Sequence, residues 1–267
     1  MKKNKKEFLF KVKKSKTNSG FILNIFEIII RSHPLIYYIM RYFIRFTNIF
    51  EEDANGVCFI NFRDRVNIID VGASDGIATK FFASRLNVKN AICFEPNPFY
   101  VKILRKLKVT KMIIKPYALD NKNIYKKIFF PRYKFFSKNL DLTPYTFYDK
   151  KTLIEQIDSD FIFKSGLEIV EKKLKLKKTH NIDLKIDFIK VDVNDNGLSV
   201  VKSLFKIIKR DKPALLIETD TDINKISSML KLNGFDKYFF SETDNKFHKI
   251  KKKYPLNTYF LQKTHLN

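Results

Sequence analysis

Apolar and polar positions alternate regularly from residue 66 to the end of the chain. Seven short apolar runs predict strands: 66–71, 90–94, 111–117, 186–193, 213–218, and the runs around Tyr238 and Thr258. Several stretches between them have the periodicity of helices: 79–86, 98–107, 198–208 and 222–232. Strands that alternate with helices pair mainly in parallel. The pattern therefore predicts an α/β fold with a doubly wound, mostly parallel sheet of seven strands and an N-terminal helical extension.

The pattern also divides the chain into segments. Residues 1–19 are rich in lysine and predict a disordered basic leader, and residues 20–60 predict short amphipathic helices. The α/β domain is expected over 61–267. It is interrupted by a long aromatic-rich segment, 125–182, which we interpret as an insertion on the substrate side.

The apolar runs before the α/β domain leave two interpretations open. Neither 21–30 nor 35–46 reaches the roughly 20 residues that cross a bilayer, and Pro34 separates them, so a spanning helix is not expected. The helices within 20–47 could lie on an anionic membrane, with Arg41 and Arg45 reaching its surface. They could instead pack on the core as a cap.

Composition changes this picture little. The net charge of +24 and the pI near 9.8 would ordinarily indicate nucleic acid or an anionic membrane as a partner. The chain, however, is saturated with Lys, Ile, Asn and Phe and has only 7 Gly, a bias expected of an AT-rich genome. The two cysteines, Cys58 and Cys93, indicate neither a disulfide framework nor a metal site. A cytoplasmic protein is expected, with a peripheral position at the inner membrane surface as an option.

Candidate chemistry is concentrated at the first two predicted strands. The first strand runs into a loop that reads DVGASDG over 70–76, and the second ends at Glu95. Glycines at 72 and 76 permit a sharp turn and a close approach of a ligand to the backbone. A carboxylate such as Glu95 can accept hydrogen bonds from both ribose hydroxyls. The loop lacks the three glycines of a dinucleotide site, and Asp75 would repel a pyrophosphate, so a nucleoside without phosphates is predicted.

Further candidates lie at the ends of other predicted strands. Asp70, Glu95, Ala118, Asp192 and Glu218 all fall at predicted carboxyl ends. Ligands of open α/β sheets bind at that edge, where the strand order reverses. An individual acid there is about as often a helix cap.

These residues resemble the FkbM family of S-adenosylmethionine-dependent methyltransferases. The resemblance covers roughly 66–220 and rests on the 70–76 loop, on FEPNP at 94–98, on Ala118-Leu119 and on DFIKVDV at 187–193. It implies a Rossmann-like methyltransferase sheet, S-adenosylmethionine as cofactor and no metal. It also implies methyl transfer to a hydroxyl of a sugar, a glycan or a small metabolite, so the expected partner is a small-molecule or glycan acceptor.

The resemblance assigns roles by position. Four residues would line the amino-acid end of the cofactor: Asp70, Gly72, Ser74 and Gly76. Glu95 would bind the ribose, and the adenine would lie near Asn97, Ala118 and Asp120. For proton removal the chain offers Asp192, Glu218, His180 and His248, of which Asp192 is the preferred candidate. We interpret Lys190 as a buried or substrate-orienting charge paired with a nearby acid.

One departure from the family affects the acceptor side. The family continues with Glu-Gly-x-Glu where this chain has Asn194-Asp195-Asn196-Gly197. A catalytically degenerate relative that binds the cofactor or a glycan is therefore a second hypothesis. A nucleic-acid methyltransferase is a third, because Tyr133, Phe135 and Phe136 could stack on bases. It is disfavoured because no Asn/Asp-Pro-Pro-Tyr/Phe motif follows the fourth strand.

Overall fold

A computed structural model describes residues 33–48, 50–107, 109, 111–142, 145–179 and 182–266. The predicted leader 1–19, the apolar run 21–30 and His180 lie outside the described residues. No helix in the described part of the chain is long and apolar enough to cross a bilayer.

The described residues form twelve strands and six α-helices. The strands are β1 (Val66–Val71), β2 (Val88–Phe94), β3 (Met112–Lys115), β4 (Ala118–Leu119), β5 (Ile124–Phe135), β6 (Lys138–Asp141), β7 (Leu167–Lys177), β8 (Phe188–Val191), β9 (Ala214–Glu218), β10 (Asp236–Ser241), β11 (Lys246–Lys249) and β12 (Asn257–Leu261). The α-helices are α1 (Pro34–Ile44), α2 (Ile77–Arg85), α3 (Pro98–Leu104), α4 (Lys150–Asp160), α5 (Gly197–Asp211) and α6 (Ile223–Lys231). Two 3₁₀ helices, Glu52–Phe59 and Lys263–His265, complete the set.

The main sheet confirms the doubly wound α/β fold. Its order is β11-β10-β12-β9-β8-β1-β2-β3, and β1, β2, β3, β8 and β9 pair in parallel. The chain proceeds outward from β1 in one direction and from β8 in the other, so the strand order reverses between these two neighbours. This crevice is where such sheets bind ligands.

The predicted count of seven strands is wrong for the described part of this sheet, which has eight. The additional strand is β11, which forms an antiparallel hairpin with β10. Its pattern is weak because Lys246 and Lys249 are exposed at the sheet edge, where charged side chains prevent further pairing.

The predicted strand 111–117 also divides in two. Only Met112–Lys115 belongs to the main sheet, and Ala118 begins β4 of a second sheet. Ala118 therefore does not end a strand of the main sheet as predicted. The chain leaves the main sheet at this point and enters the second.

Two apolar layers enclose the main sheet. One packs α2 against it through Phe81, Phe82 and Phe188, and the other packs α5 and α6 through residues such as Leu204 and Ile226. The parallel strands are buried on both faces, as their continuous apolar runs require.

The segment 125–182 supplies most of the second sheet, whose order is β4-β7-β5-β6. The long strands β5 and β7 pair antiparallel, and α4 packs on this sheet through Leu153 and Ile157. Helix α1 joins this small core, because the Tyr37 ring contacts the rings of Tyr145 and Phe161 at 5.5 and 6.0 Å. The second sheet and α1 together stand over the carboxyl edge of the main sheet.

Candidate active site

A pocket lies between the two sheets, at the position where the main strand order reverses. Its floor is formed by the residues that follow β1, β2 and β8, and its roof by β5, β6, β7 and the loop before α4. The roof residues include Ile128, Phe130, Asp141, Tyr148, Lys172 and Leu174. One wall comes from the N-terminal segment, with Arg41, Phe50 and Glu51.

The two glycines of the 70–76 loop serve packing within the protein. Gly72 and Gly76 have φ of +82° and +81°, a region that strongly favours glycine. A Cβ on Gly72 would lie 1.9 Å from the Asp192 carbonyl oxygen, and one on Gly76 would lie 2.2 Å from Leu107 Cδ1. The chain thus requires glycine at both positions even without a ligand. Gly72 lines the pocket, whereas Gly76 lies behind its wall at the start of α2.

Ser74 stands at the tip of this loop with φ of +50°. Its N–H donates to Glu95 Oε2 at 2.8 Å, while its Oγ is buried with no hydrogen-bond partner among the described residues. A buried hydroxyl without a partner is costly. Because Ser74 lines the pocket, a polar ligand group could supply the missing partner.

The charge of the Asp75 carboxylate is balanced by two arginines, one in α1 and one directly after it. Arg41 of α1 donates through Nε and Nη2 to its two oxygens, both at 2.9 Å, and Arg45 Nη2 lies 3.7 Å away. The Asp75 side chain is 1% exposed, so this is a buried bidentate pair. Residues 35–46 thus act as a cap on the loop through Arg41 and Arg45, the two arginines that the membrane interpretation placed at a lipid surface.

Glu95 is buried directly after β2 and lines the pocket. Its Oε2 accepts from Ser74 N and its Oε1 from Asn97 N, each at 2.8 Å. Burial raises the pKa of Glu95 to about 7, although the two N–H donors oppose that shift. Each carboxylate oxygen has two lone pairs, so each can accept one more hydrogen bond. Glu95 therefore has the capacity to accept a pair of hydroxyls, and its role in binding a ribose stays a prediction.

Two of the three residues predicted to lie near the adenine line the pocket, and the third does not. Asn97 lines the pocket, but its Oδ1 accepts from Phe99 N at 2.9 Å and so caps α3. Ala118 also lines the pocket, next to Leu119. Asp120 does not line it, because its buried carboxylate accepts from Lys126 Nζ at 3.1 Å.

A buried lysine organises the acids at the ends of β1 and β8. Lys190 Nζ donates to Asp192 Oδ2 at 2.7 Å and lies 3.9 Å from Asp70 Oδ1. Burial opposes the charged form of Lys190, but Asp192 and Asp70 outweigh it and raise its pKa. Asp70 accepts from Thr79 Oγ1 at 2.5 Å, and burial raises its pKa. Lys190 and Asp192 line the pocket, whereas Asp70 lies behind it.

Asp192 and Glu218 form a hydrogen-bonded pair of carboxyl groups. Burial alone would raise the pKa of Asp192, but Lys190 and the hydrogen bond from Glu218 lower it. Burial and repulsion by Asp192 raise the pKa of Glu218. At neutral pH Glu218 is thus protonated and donates to an ionised Asp192. The Asp192 side chain is 38% exposed toward the pocket, and Glu218 lies behind it.

Sequence reasoning missed Glu51, which lines the pocket on the same side as Asp192. Its Oε2 accepts from Asn257 Nδ2 at 2.5 Å, and Asn257 is buried at the start of β12. Desolvation of its carboxyl and the nearby charge of Asp192 raise the pKa of Glu51. No motif marks this residue, because it precedes the first strand and is brought to the pocket by residues some 200 positions later.

The segment that departs from the family motif joins the two sheets. Asn194 Nδ2 donates to the Thr146 carbonyl and Asn196 Nδ2 to the Leu119 carbonyl, both at 3.0 Å. Asp195 adopts φ of +56° between them. Both asparagines line the pocket, but these bonds use them to hold the roof in place.

The three aromatic residues considered for base stacking lie on or near β5 in different surroundings. Tyr133 packs edge-on against His33 at 5.2 Å, and Phe136 is 92% exposed at the turn between β5 and β6. Phe135 ends β5. His248 lies in β11, where it is half exposed and contacts Asp244 at the far edge of the sheet from the pocket.

The pocket residues fit S-adenosylmethionine. Glu95 retains acceptor capacity for ribose hydroxyls, and the buried Ser74 hydroxyl lacks a partner among the described residues. The fold and the pocket together define a doubly wound α/β protein with a pocket at its topological switch point.

No protein-family model matches the chain, and no curated protein matches it. Among solved structures, the methyltransferase FkbM from Methylobacillus flagellatus is 14% identical with a TM-score of 0.44. That alignment covers 76% of this chain and 47% of that chain, so this chain spans about half the length of that protein.

Two further solved structures extend the comparison. A TehB-like SAM-dependent methyltransferase from Corynebacterium glutamicum is 9% identical with a TM-score of 0.44, over 85% of this chain and 97% of that one. TrmK from M. capricolum, in complex with S-adenosylhomocysteine, is 10% identical with a TM-score of 0.37, over 82% and 71%. At such identities and TM-scores, the fold class rests on the strand order described above.

Proposed function

We propose that the protein is an S-adenosylmethionine-dependent methyltransferase, related to the FkbM family, that methylates a hydroxyl of a sugar, a glycan or a small metabolite. The observation that carries this proposal is Glu95, buried at the end of β2 beside the 70–76 loop with one acceptor site per oxygen still free. When bound, S-adenosylmethionine supplies an electrophilic methyl group on a sulfonium.

The protein's own residues then bind and orient. Glu95 accepts the ribose hydroxyls, Ser74 supplies a hydroxyl to a polar group, and Ala118 with Leu119 forms an apolar surface beside them. The roof formed by the second sheet excludes water from the opposite side. Alignment of this kind contributes more to methyl transfer than strong acid–base chemistry, because the leaving group is already activated.

Two carboxylates can accept the proton that the acceptor hydroxyl loses. Asp192 is held ionised by Lys190 and Glu218, so it is available at neutral pH but is a weak base. Glu51 has a raised pKa and is the stronger base of the two. Both line the acceptor side of the pocket, where the family's glutamates are replaced.

Calorimetric titration with S-adenosylhomocysteine tests the cofactor site. We expect a micromolar dissociation constant for the wild type and a loss of at least about tenfold for Glu95→Gln, since the amide loses an acceptor oxygen. Glu242→Gln, at a residue bonded to Asn55 away from the pocket, serves as the control. Absence of binding to the wild type would contradict the proposal.

A degenerate relative is the second candidate, and the roles of Asn194 and Asn196 favour it. Both side chains bond to backbone carbonyls and provide no proton acceptor. Tight S-adenosylhomocysteine binding, without methyl transfer from labelled S-adenosylmethionine to any member of a panel of glycans and hydroxylated metabolites, would support it.

A further inference from the structure

Helix α1 directs its one charged side chain, Arg41, inward and leaves large apolar side chains exposed on its outer side. On its inner face, Tyr37 packs against Tyr145 and Phe161, and Arg41 binds the buried Asp75. A helix on the surface of a protein in water normally shows the opposite arrangement. The outer side of α1 therefore needs a physical explanation.

Four large apolar side chains form what we call the outward face of α1. Ile39, Tyr42, Phe43 and Phe46 are 43%, 49%, 58% and 67% exposed. The spacing of three and four residues from Ile39 to Tyr42 and Phe43 places these three on one side of the helix, and Phe46 lies in the turn just after it. The Tyr42 ring contacts those of Phe43 and Phe46, with centroids 5.8 and 5.2 Å apart, so the side chains form one contiguous surface. Single exposed apolar residues are common, but a contiguous cluster indicates a contact surface.

Charge identifies the kind of surface that would cover it. The chain carries a net charge of +24. The sequence that precedes α1 contains the basic runs KKNKK at 2–6 and KVKKSK at 11–16, with Glu7 as the only acid in the first twenty residues. An exposed apolar surface and a polybasic stretch in the same chain are the two signals that together hold a protein on an anionic bilayer.

We propose that the outward face of α1 docks the protein on an anionic lipid bilayer, with Phe43 and Phe46 entering the interface. The inner face of the same helix stays bound to Asp75, so docking needs no rearrangement of the pocket. Arg41 lines that pocket, so docking would place the wall that α1 contributes nearest to the lipid surface. This inference is independent of the proposed methyl transfer.

The absence of tryptophan from the chain allows a direct test. Phe46→Trp places the chain's single tryptophan on the outward face, and Leu232→Trp places it at an 88% exposed control position. Leu232 follows α6, which runs back from the carboxyl end of β9, so it lies at the opposite edge of the sheet from the pocket. With phosphatidylglycerol-containing vesicles we expect a blue shift and quenching by brominated lipid for Phe46→Trp and neither for Leu232→Trp.

Cosedimentation of the full chain with the same vesicles gives the affinity. We expect Phe43→Ser and Phe46→Ser each to weaken partitioning several-fold to about tenfold, and Leu232→Ser to leave it unchanged. Binding should decrease on phosphatidylcholine alone and at high salt. Circular dichroism of each variant verifies the fold.

Three outcomes would overturn the proposal. The first is a wild type that does not bind anionic vesicles. The second is equal binding by the serine variants, which would assign attachment to the basic leader alone. The third is a dimer in light scattering that Phe46→Ser dissociates without any effect of vesicles, which would show that a second copy covers this face.

Discussion

The floor and the roof of the pocket are built in different ways. Most of the floor comes from one short stretch, in which the 70–76 loop and Glu95 lie at adjacent strand ends and bond to each other, and the end of β8 completes it. The roof and wall combine segments that are far apart in sequence, from Arg41 and Glu51 to Lys172, and Glu51 is itself held by Asn257. Local geometry thus determines the floor, while long-range contacts determine the roof. The floor should be intolerant of backbone changes, and the roof should respond to the loss of particular charge pairs.

The largest effect is expected in the floor from Gly72→Ala. The new Cβ would meet the Asp192 carbonyl oxygen at 1.9 Å in a backbone region that disfavours alanine. We expect a loss of about 3–5 kcal/mol in the free energy of unfolding, measured by urea denaturation. Gly234→Ala is the matched control, since φ is +84° there but the nearest atom is 3.4 Å away. Similar losses for both variants would show that the contact with Asp192 does not matter.

The second largest effect on stability is expected from substitutions of the charged residues near the end of β8. Asp192→Asn removes the carboxylate closest to the buried Lys190 and leaves Asp70 at 3.9 Å. We expect a loss of about 2–3 kcal/mol in the free energy of unfolding, less than for a fully buried pair because Asp192 is partly exposed. Glu218→Gln should cost less than about 1 kcal/mol, since an amide N–H can replace the protonated carboxyl as donor. Equal losses in thermal denaturation would contradict the assignment of the proton to Glu218.

Arg41 joins the wall to the floor, and its removal tests that connection. Arg41→Ala leaves the buried Asp75 with Arg45 at 3.7 Å, and we expect a loss of about 1–3 kcal/mol. Arg132→Ala is the control. It breaks the same bidentate geometry to Asp141, but both partners are 26% exposed, so less than about 1 kcal/mol is expected. The double variant Arg41→Ala/Asp75→Asn should recover much of the loss; failure to do so would mean that the helix contributes mainly through packing.

The smallest effect concerns pH and the floor carboxylate. The pKa of Glu95 is about 7 in the folded protein against an ordinary 4.5, so its ionisation opposes folding and stability should fall as pH rises between these values. Ionisation also creates the acceptor that ribose hydroxyls need. Affinity for S-adenosylhomocysteine should therefore rise about tenfold from pH 6 to pH 8 in calorimetry. Glu95→Gln should abolish that dependence, and a flat wild-type profile would exclude this role for Glu95.

The sequence predicted the floor well and the roof poorly, for a physical reason. Strand–loop–helix patterns are local, so the loop at 70–76, the place of Glu95 after β2 and most strands of the main sheet followed from periodicity and glycine spacing. Sequence analysis missed strand β11, and it did not predict that the chain leaves the main sheet after Lys115. Exposed edge strands and a change of sheet leave little periodic signal in the sequence.

Sequence by itself determined the α/β class, the loop with its obligatory glycines and the carboxylate at the end of β2. Only the tertiary structure decided that Gly76 and Asp70 stand behind the pocket wall, that Arg41 binds Asp75, and that Glu51 lines the pocket with Asp192. Those outcomes depend on which distant groups share a low-dielectric space, because burial sets both the strength of a charge pair and the pKa of each member. A linear pattern specifies which elements form, whereas their packing specifies which charges meet.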